Sequence, residues 1–232
     1  MVINNGGLMY LGQKIDKRLM PLADKWKGVM LKSTIVKQLQ EALKPFGVMV
    51  LYERNERLKP NNKWIKGFYT WQRKQQPIEV IIEFSTESPY YDWTGKNARP
   101  RRTLFHISQT VQHELIHKAQ NQRRDPETFT HDFFQPINHR KTGAQKSQIE
   151  YLSMFDEIDA FGHDIAMEIV HYYPNHDPYE VLKNIKDYRL LFSYRYYLKT
   201  FKGTRWTIIH DKLLRKVHKW IPYTTTMERK RA

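Results

Sequence analysis

The chain has no cysteine among its 232 residues. Disulfides are therefore excluded, and any bound metal must be held by His, Asp and Glu. The absence fits a reducing compartment. Long apolar runs are missing too. The longest are a few residues, so no segment is expected to span a bilayer. The opening stretch "MVINNGGLMYLGQKID" lacks a basic flank followed by an apolar run, and no secretory signal is expected from it. Acidic residues are scarce beside basic ones, 24 Asp and Glu against 39 Lys and Arg, which leaves a net charge of +15. Such an excess attracts nucleic acid, an anionic surface or an acidic partner. The basic residues are scattered ("KIDKR", "RPRR", "NQRR", "KLLRK", "ERKRA") and form no single arm, so a solvated lysine-rich surface accounts for them as well. No internal repeat or low-complexity segment is present.

What remains suits a folded protein: 40% hydrophobic and 13% aromatic residues in a chain long enough to bury a core. Ile35, Leu39, Ala42 and Leu43 recur at helical spacing after Thr34, a capping residue type, and predict a helix over 34–44. The stretches 48–54, 66–71 and 77–84 read as strands, the last rich in Ile and Val. A Pro/Gly loop with aromatics, "STESPYYDWTGKNARPRR", follows. Leu104, Ile107, Val111 and Leu115 then make one apolar stripe of a helix over 103–121. Residues 122–150 are polar and turn-rich, with no clear element. A second strong helix runs over about 154–172, with Ser153 and Asp156 at capping-box spacing and Ile158, Phe161, Ile165 and Ile169 on its buried face. The remainder reads as helical: 178–191, 193–201 and 205–220. This order of helix, small sheet and several helices is an α+β arrangement.

The stretch "TVQHELIHKAQ" (110–120) carries the chemistry. Its H-E-x-x-H pattern puts His113 and His117 about 40° apart around a helix and about 6 Å apart along it, so both imidazoles can reach one ion. Glu114 lies about 60° from His117 on the same side. A carboxylate there can take a proton from water at a metal without being a ligand. Random order of this composition gives the pattern roughly 2 times in 100, so the pattern alone does not decide against an ordinary helix face. Both histidines lie off the apolar stripe and are expected to face a cleft. His106 is about 10 Å from His113 along the helix and is too far to share its ion.

A catalytic zinc takes three protein ligands and leaves a fourth position open. Two residues compete for the third place. Glu157 sits in the first turn of the second strong helix, off its apolar face and on a rigid element; an ordinary first-turn glutamate favoured by the helix dipole is the bland alternative. His131, in the turn-rich stretch "ETFTHDFFQ", is less rigidly placed.

With "HELIHKAQ" and "EYLSMFDEIDAFGHDIAMEI" in view, the chain resembles the H-E-x-x-H plus distant Glu metallopeptidases of gluzincin type. It is also similar to small metallopeptidase-like proteins of tailed bacteriophages, over roughly residues 77 to 220. The resemblance implies a zincin-like fold: a small mixed or antiparallel sheet packed on the H-E-x-x-H helix and a Glu-bearing helix. Its parts would be an N-terminal helical segment (1–46), a metal-binding core (47–175) and a basic helical extension packed on that core (176–232). It implies Zn2+ held by His113, His117 and Glu157, Glu114 as general base, and a peptide or protein substrate pairing with "PIEVIIEF" as an edge strand. It places the protein in the host cytoplasm or in a virion. The sequence departs from the thermolysin pattern four residues after the ligand Glu, where Phe161 replaces an Asp; Asp159 and Asp164 are the nearby substitutes for orienting a histidine. Tyr194, Tyr196, Tyr197, His163 and His210 are candidates for steadying the oxyanion.

Three other readings stand beside this one. SprT-like proteases, which act on DNA-bound proteins, are similar in having a third histidine, for which His131 would serve. A virion-associated structural protein with a metallopeptidase fold would use the charge against packaged DNA and contact other virion proteins. A DNA-binding module would use the basic helix "TRWTIIHDKLLRKVHKW", although no helix-turn-helix or finger pattern surrounds it.

Overall fold

The run Ile78–Ser85, rich in β-branched residues, puts Ile78, Val80, Ile82 and Phe84 on one side, the alternation of a strand with one face on the core. The computed structural model, which describes residues 5–69, 77–95, 98–123, 144–201 and 204–225, buries that face. The architecture is α+β, mostly helical with small sheets. Contacts divide the chain into two units, 3–119 and 120–232, and the division falls within one continuous helix, Pro100–Arg123.

The first unit opens with helices α1 (Asn5–Leu19) and α2 (Leu22–Lys25), then strand β1 (Val29–Leu31) and helix α3 (Lys32–Leu43). Strands β2 (Val48–Asn55), β3 (Lys63–Phe68), β4 (Ile78–Ser85) and β5 (Tyr90–Asp92) follow, and then α4 (Pro100–Arg123). The main sheet is mixed, in the order β2-β4-β3. β2 runs parallel to β4 with Val48 opposite Ile78, and β3 runs antiparallel to it with Lys63 opposite Phe84. Val48, Val50, Ile78, Val80, Ile82 and Phe84 are buried on one face of that sheet. β1 and β5 pair antiparallel as a separate ribbon, so the expected Pro/Gly loop contains a strand. Under the ribbon, Trp26 stacks on Trp93 at 4.8 Å and Tyr91 lies against both Trp93 and Phe84. Lys63 donates from Nζ to the Tyr91 hydroxyl at 2.6 Å; burial first, and then the charge of Arg102, push its pKa down to about 8.

Two details correct the sequence reading. α3 starts at Lys32 with Leu31 as its N-cap, so Thr34 lies inside the helix. The earlier start has a physical anchor: the buried Lys32 donates from Nζ to the carbonyls of Ser85 (2.6 Å) and Ser88, and its backbone N–H donates to Pro89. Second, β4 is central, and β2 and β3 are the outer strands. The ladder groups of β4 are already used on both sides, so an extended peptide cannot pair with "PIEVIIEF".

The second unit holds the last turn of α4, then α5 (Ala144–Leu152), α6 (Phe155–Tyr172), α7 (Pro178–Lys183), a 3-10 turn (Ile185–Asp187), α8 (Phe192–Thr200) and α9 (Thr204–Thr225). α5 falls in a stretch read as having no element. The helix expected over 178–191 stops at Lys183 and gives way to the 3-10 turn. Met154 is the N-cap of α6 and no side chain caps it; Ser153 instead donates from Oγ to the Ile149 carbonyl, closing α5. α6 and α9 cross closely at Gly162, where an added Cβ would lie 2.5 Å from Cβ of Lys216. The crossing is locked by the buried Asp159, whose Oδ1 meets Lys216 at 3.2 Å and Lys219 at 3.1 Å. Trp220 donates from Nε1 to its backbone carbonyl. Among the described residues, no helix is long and apolar enough to cross a membrane.

Candidate metal centre

α4 forms because Pro100 supplies a preset φ at its first position and Leu104, Ile107, Val111 and Leu115 share one face, all of them buried. The helix is covered beyond that stripe. Ser108 donates to Asp16 at 2.6 Å and Gln112 donates to Ser108 at 3.0 Å, a polar chain one turn before the histidines. His113 and Glu114 are correspondingly only 9% and 8% exposed, with His117 more open. The expected cleft-facing histidines thus sit in a largely buried site.

Nε2 of His113 and Nε2 of His117 face each other at 3.1 Å. Two metal–nitrogen bonds of about 2.0–2.1 Å at a tetrahedral angle would put the nitrogens about 3.3 Å apart, so the pair is already set at nearly the separation one ion requires. Glu157, in the first turn of α6, is 5% exposed. The ligand atoms of His113, His117 and Glu157 all lie within 4.8 Å of one another, a His-His-Glu group that could hold a metal ion. Two neutral imidazoles and a carboxylate are three donors, which leaves a coordination position for water or substrate. One turn beyond His117, Gln120 donates from Nε2 to the carbonyl of Asp156 at 3.3 Å, tying the end of α4 to the residue before Glu157.

His106 stands apart from this group, accepting from Arg102 and facing Gln109, both at 3.4 Å. His131 lies outside the described residues. Asp159, a candidate for orienting a histidine, is committed to Lys216, Lys219 and Trp220 of α9. Asp164 is buried, 3.9 Å from Nδ1 of His163. Of the residues considered for the oxyanion, Tyr194 and His210 bond each other at 3.2 Å. Burial, and then the charge of Lys186, lower the pKa of His210. Tyr196 accepts from Gln148. His163 is packed edge-on against Trp220 at 5.0 Å. Tyr197 donates to the Leu152 carbonyl at 3.0 Å. Its pKa is raised strongly, first by burial and then by the charges of Glu157 and Asp164, so its hydroxyl keeps its proton.

Gly67, which sequence reasoning missed, belongs to the site. A Cβ on it would lie 2.6 Å from Cγ2 of Thr110 and 2.8 Å from both Cγ and Oε1 of Glu114. The backbone of outer strand β3 therefore rests directly on the Glu114 side chain. The signal was there, since a glycine inside a strand pattern often marks a close backbone approach. Comparison with known protein families, with curated proteins and with solved structures gives no match to this chain.

Proposed function

We propose that the chain is a zinc-dependent metallopeptidase of gluzincin type, with a zincin-like fold. The observation that carries the reading is the mutual closeness of His113, His117 and Glu157, two imidazoles and a carboxylate. That donor set suits zinc, and a tetrahedral ion would keep a fourth position open. Zinc at such a site lowers the pKa of water and polarises a carbonyl oxygen.

The chain's own residues supply the rest. His113 and His117 bind through Nε2, and Glu157 through a carboxylate oxygen. Glu114, next to His113 in sequence and on the same side of α4, takes the proton of the attacking water and delivers it to the leaving amine nitrogen. Gly67 lets β3 close over Glu114, limiting the rotamers open to that carboxylate and excluding water from one side of it. Among the described residues no strand pairs with the far edge of β3, so an extended peptide can add there through main-chain hydrogen bonds. This moves the substrate-pairing role from β4 to β3, on the strand that touches Glu114.

The reading is tested by incubating the protein with a mixture of unstructured peptides and sequencing the products. Hydrolysis abolished by a chelator and restored by about one equivalent of zinc is expected. No cleavage by the zinc-loaded protein over a broad peptide set would overturn it.

A further inference from the structure

We propose that the exposed face of α8 binds single-stranded nucleic acid. The helix has two distinct sides. Tyr194, Tyr197 and Thr200 are buried, while Phe192, Arg195, Tyr196 and Lys199 recur at spacings of three and four on the opposite side. With Leu198 these residues line a shallow, open depression of about 390 Å³. Phe192 is 38% exposed, and Tyr196 and Leu198 are each 40% exposed.

The exposed rings are held rather than loose. Phe192 lies edge-on against Tyr172 at 5.7 Å. Tyr196 stacks on Phe161 at 6.0 Å, 28° from parallel, and its hydroxyl accepts from Gln148. Arg195 is also directed, donating from Nη1 to the Arg189 carbonyl at 3.3 Å. Rings already ordered lose little further freedom when a base stacks on them.

Charge selects the occupant. From Tyr188 to His210 the sequence contains no Asp or Glu, yet it carries Arg189, Arg195, Lys199, Lys202 and Arg205. Cations alone would serve an acidic peptide equally. Aromatic rings placed between cations add something that only an unpaired base uses, a stacking face beside a phosphate contact. In a duplex the bases are already stacked on each other, so the rings on α8 gain nothing there. A single strand takes both contributions.

The test uses the full chain and a fluorescently labelled 20-nucleotide oligothymidine, followed by anisotropy over a range of salt. Saturable binding is expected, weakened at least 10-fold by Phe192→Ala with Tyr196→Ala. Arg195→Ala with Lys199→Ala should reduce the slope of log K against log salt by about 0.7 for each cation removed. Circular dichroism confirms that both double variants are folded. The proposal is overturned if the aromatic variant binds within twofold of wild type, or if the salt slope is unchanged in the cation variant. It is equally overturned if a duplex of the same length, polyglutamate, or vesicles of anionic lipid bind as well as the oligothymidine.

Discussion

If the proposed reading holds, Glu114→Gln should keep zinc at the His-His-Glu group and lower peptide hydrolysis by about 10²–10⁴-fold, the usual contribution of a general base. The glutamine matches the glutamate in shape, so the packing of β3 on α4 is preserved, and the proposed ligands His113, His117 and Glu157 are untouched. What is lost is the ability to accept a proton. Gly67→Ala reaches the same carboxylate by another route. Its new methyl group would lie 2.8 Å from Cγ and Oε1 of Glu114 and 2.6 Å from Thr110, so strand and carboxylate must shift apart. A displacement of about 1 Å at a reacting group costs on the order of 10²-fold. A clash of this kind also costs about 1–3 kcal/mol of stability. Hydrolysis by Gly67→Ala, assayed well below its melting midpoint, should therefore fall steeply in kcat while its zinc content stays at the wild-type level. A Gly67→Ala protein with wild-type kcat would show that the contact does not position Glu114.

Asp159→Ala should lower stability measurably. Its carboxylate is buried between α6 and α9 and faces two lysines and an indole. Removing it leaves Lys216 and Lys219 as nearby positive charges with no counter-charge. Lys219 is more than a third exposed and Lys216 partly so, so water can solvate the charges left behind and the loss is about 1–3 kcal/mol. For a chain of this size, the thermal midpoint should drop by roughly 5 °C. The pH dependence has a definite sign. Burial pushes the Asp159 pKa up, but the charges of Lys219 and Lys216 outweigh it and hold the group below its ordinary 3.8. A carboxyl depressed in the folded state stabilises above its unfolded pKa and loses that contribution as pH falls through the folded value. The gap between wild type and Asp159→Ala should be full at neutral pH and close below about pH 4. A gap that persisted undiminished below that pH would mean that the aspartate acts through packing rather than charge.

The helices with long apolar stripes were legible because their period extends over several turns. α4 and α9 begin and end within a few residues of the expected bounds, and α6 within one. Short elements were less visible. β1 and β5 are three residues each and exist only because they pair with one another across intervening helices and strands. "AQKSQIEYL" has too few apolar positions to announce α5. The caps were misread at Thr34 and Ser153 for a shared reason. A hydroxyl residue near a helix start is only a local preference, and tertiary contacts of Lys32 and the end of α5 set the actual boundaries. The central place of β4 is set by its pairing with β2 on one side and β3 on the other, which the run of residues in β4 does not announce.

The candidate site divides similarly. His113, Glu114 and His117 follow from spacing on one helix. Glu157 follows from the turn of α6 it occupies, and it lies close to the two histidines, while its role as a ligand belongs to the proposal. Gly67 is legible as a strand glycine that often marks a close backbone approach, but its partner Glu114 is not, because the two meet only when a distant strand packs on α4. The sequence leaves Asp159 and Asp164 as candidate partners for orienting a histidine, although neither sits at the expected spacing from Glu157. The lysines of α9 that claim Asp159 are some sixty residues away.

Metal content measured by mass spectrometry tests the central claim most directly, on purified wild type beside Glu157→Ala and His131→Ala. The account predicts about one zinc per wild-type chain, retained in His131→Ala and lost in Glu157→Ala. Zinc that survives Glu157→Ala and disappears with His131→Ala, or no zinc in the wild type after reconstitution, would contradict it.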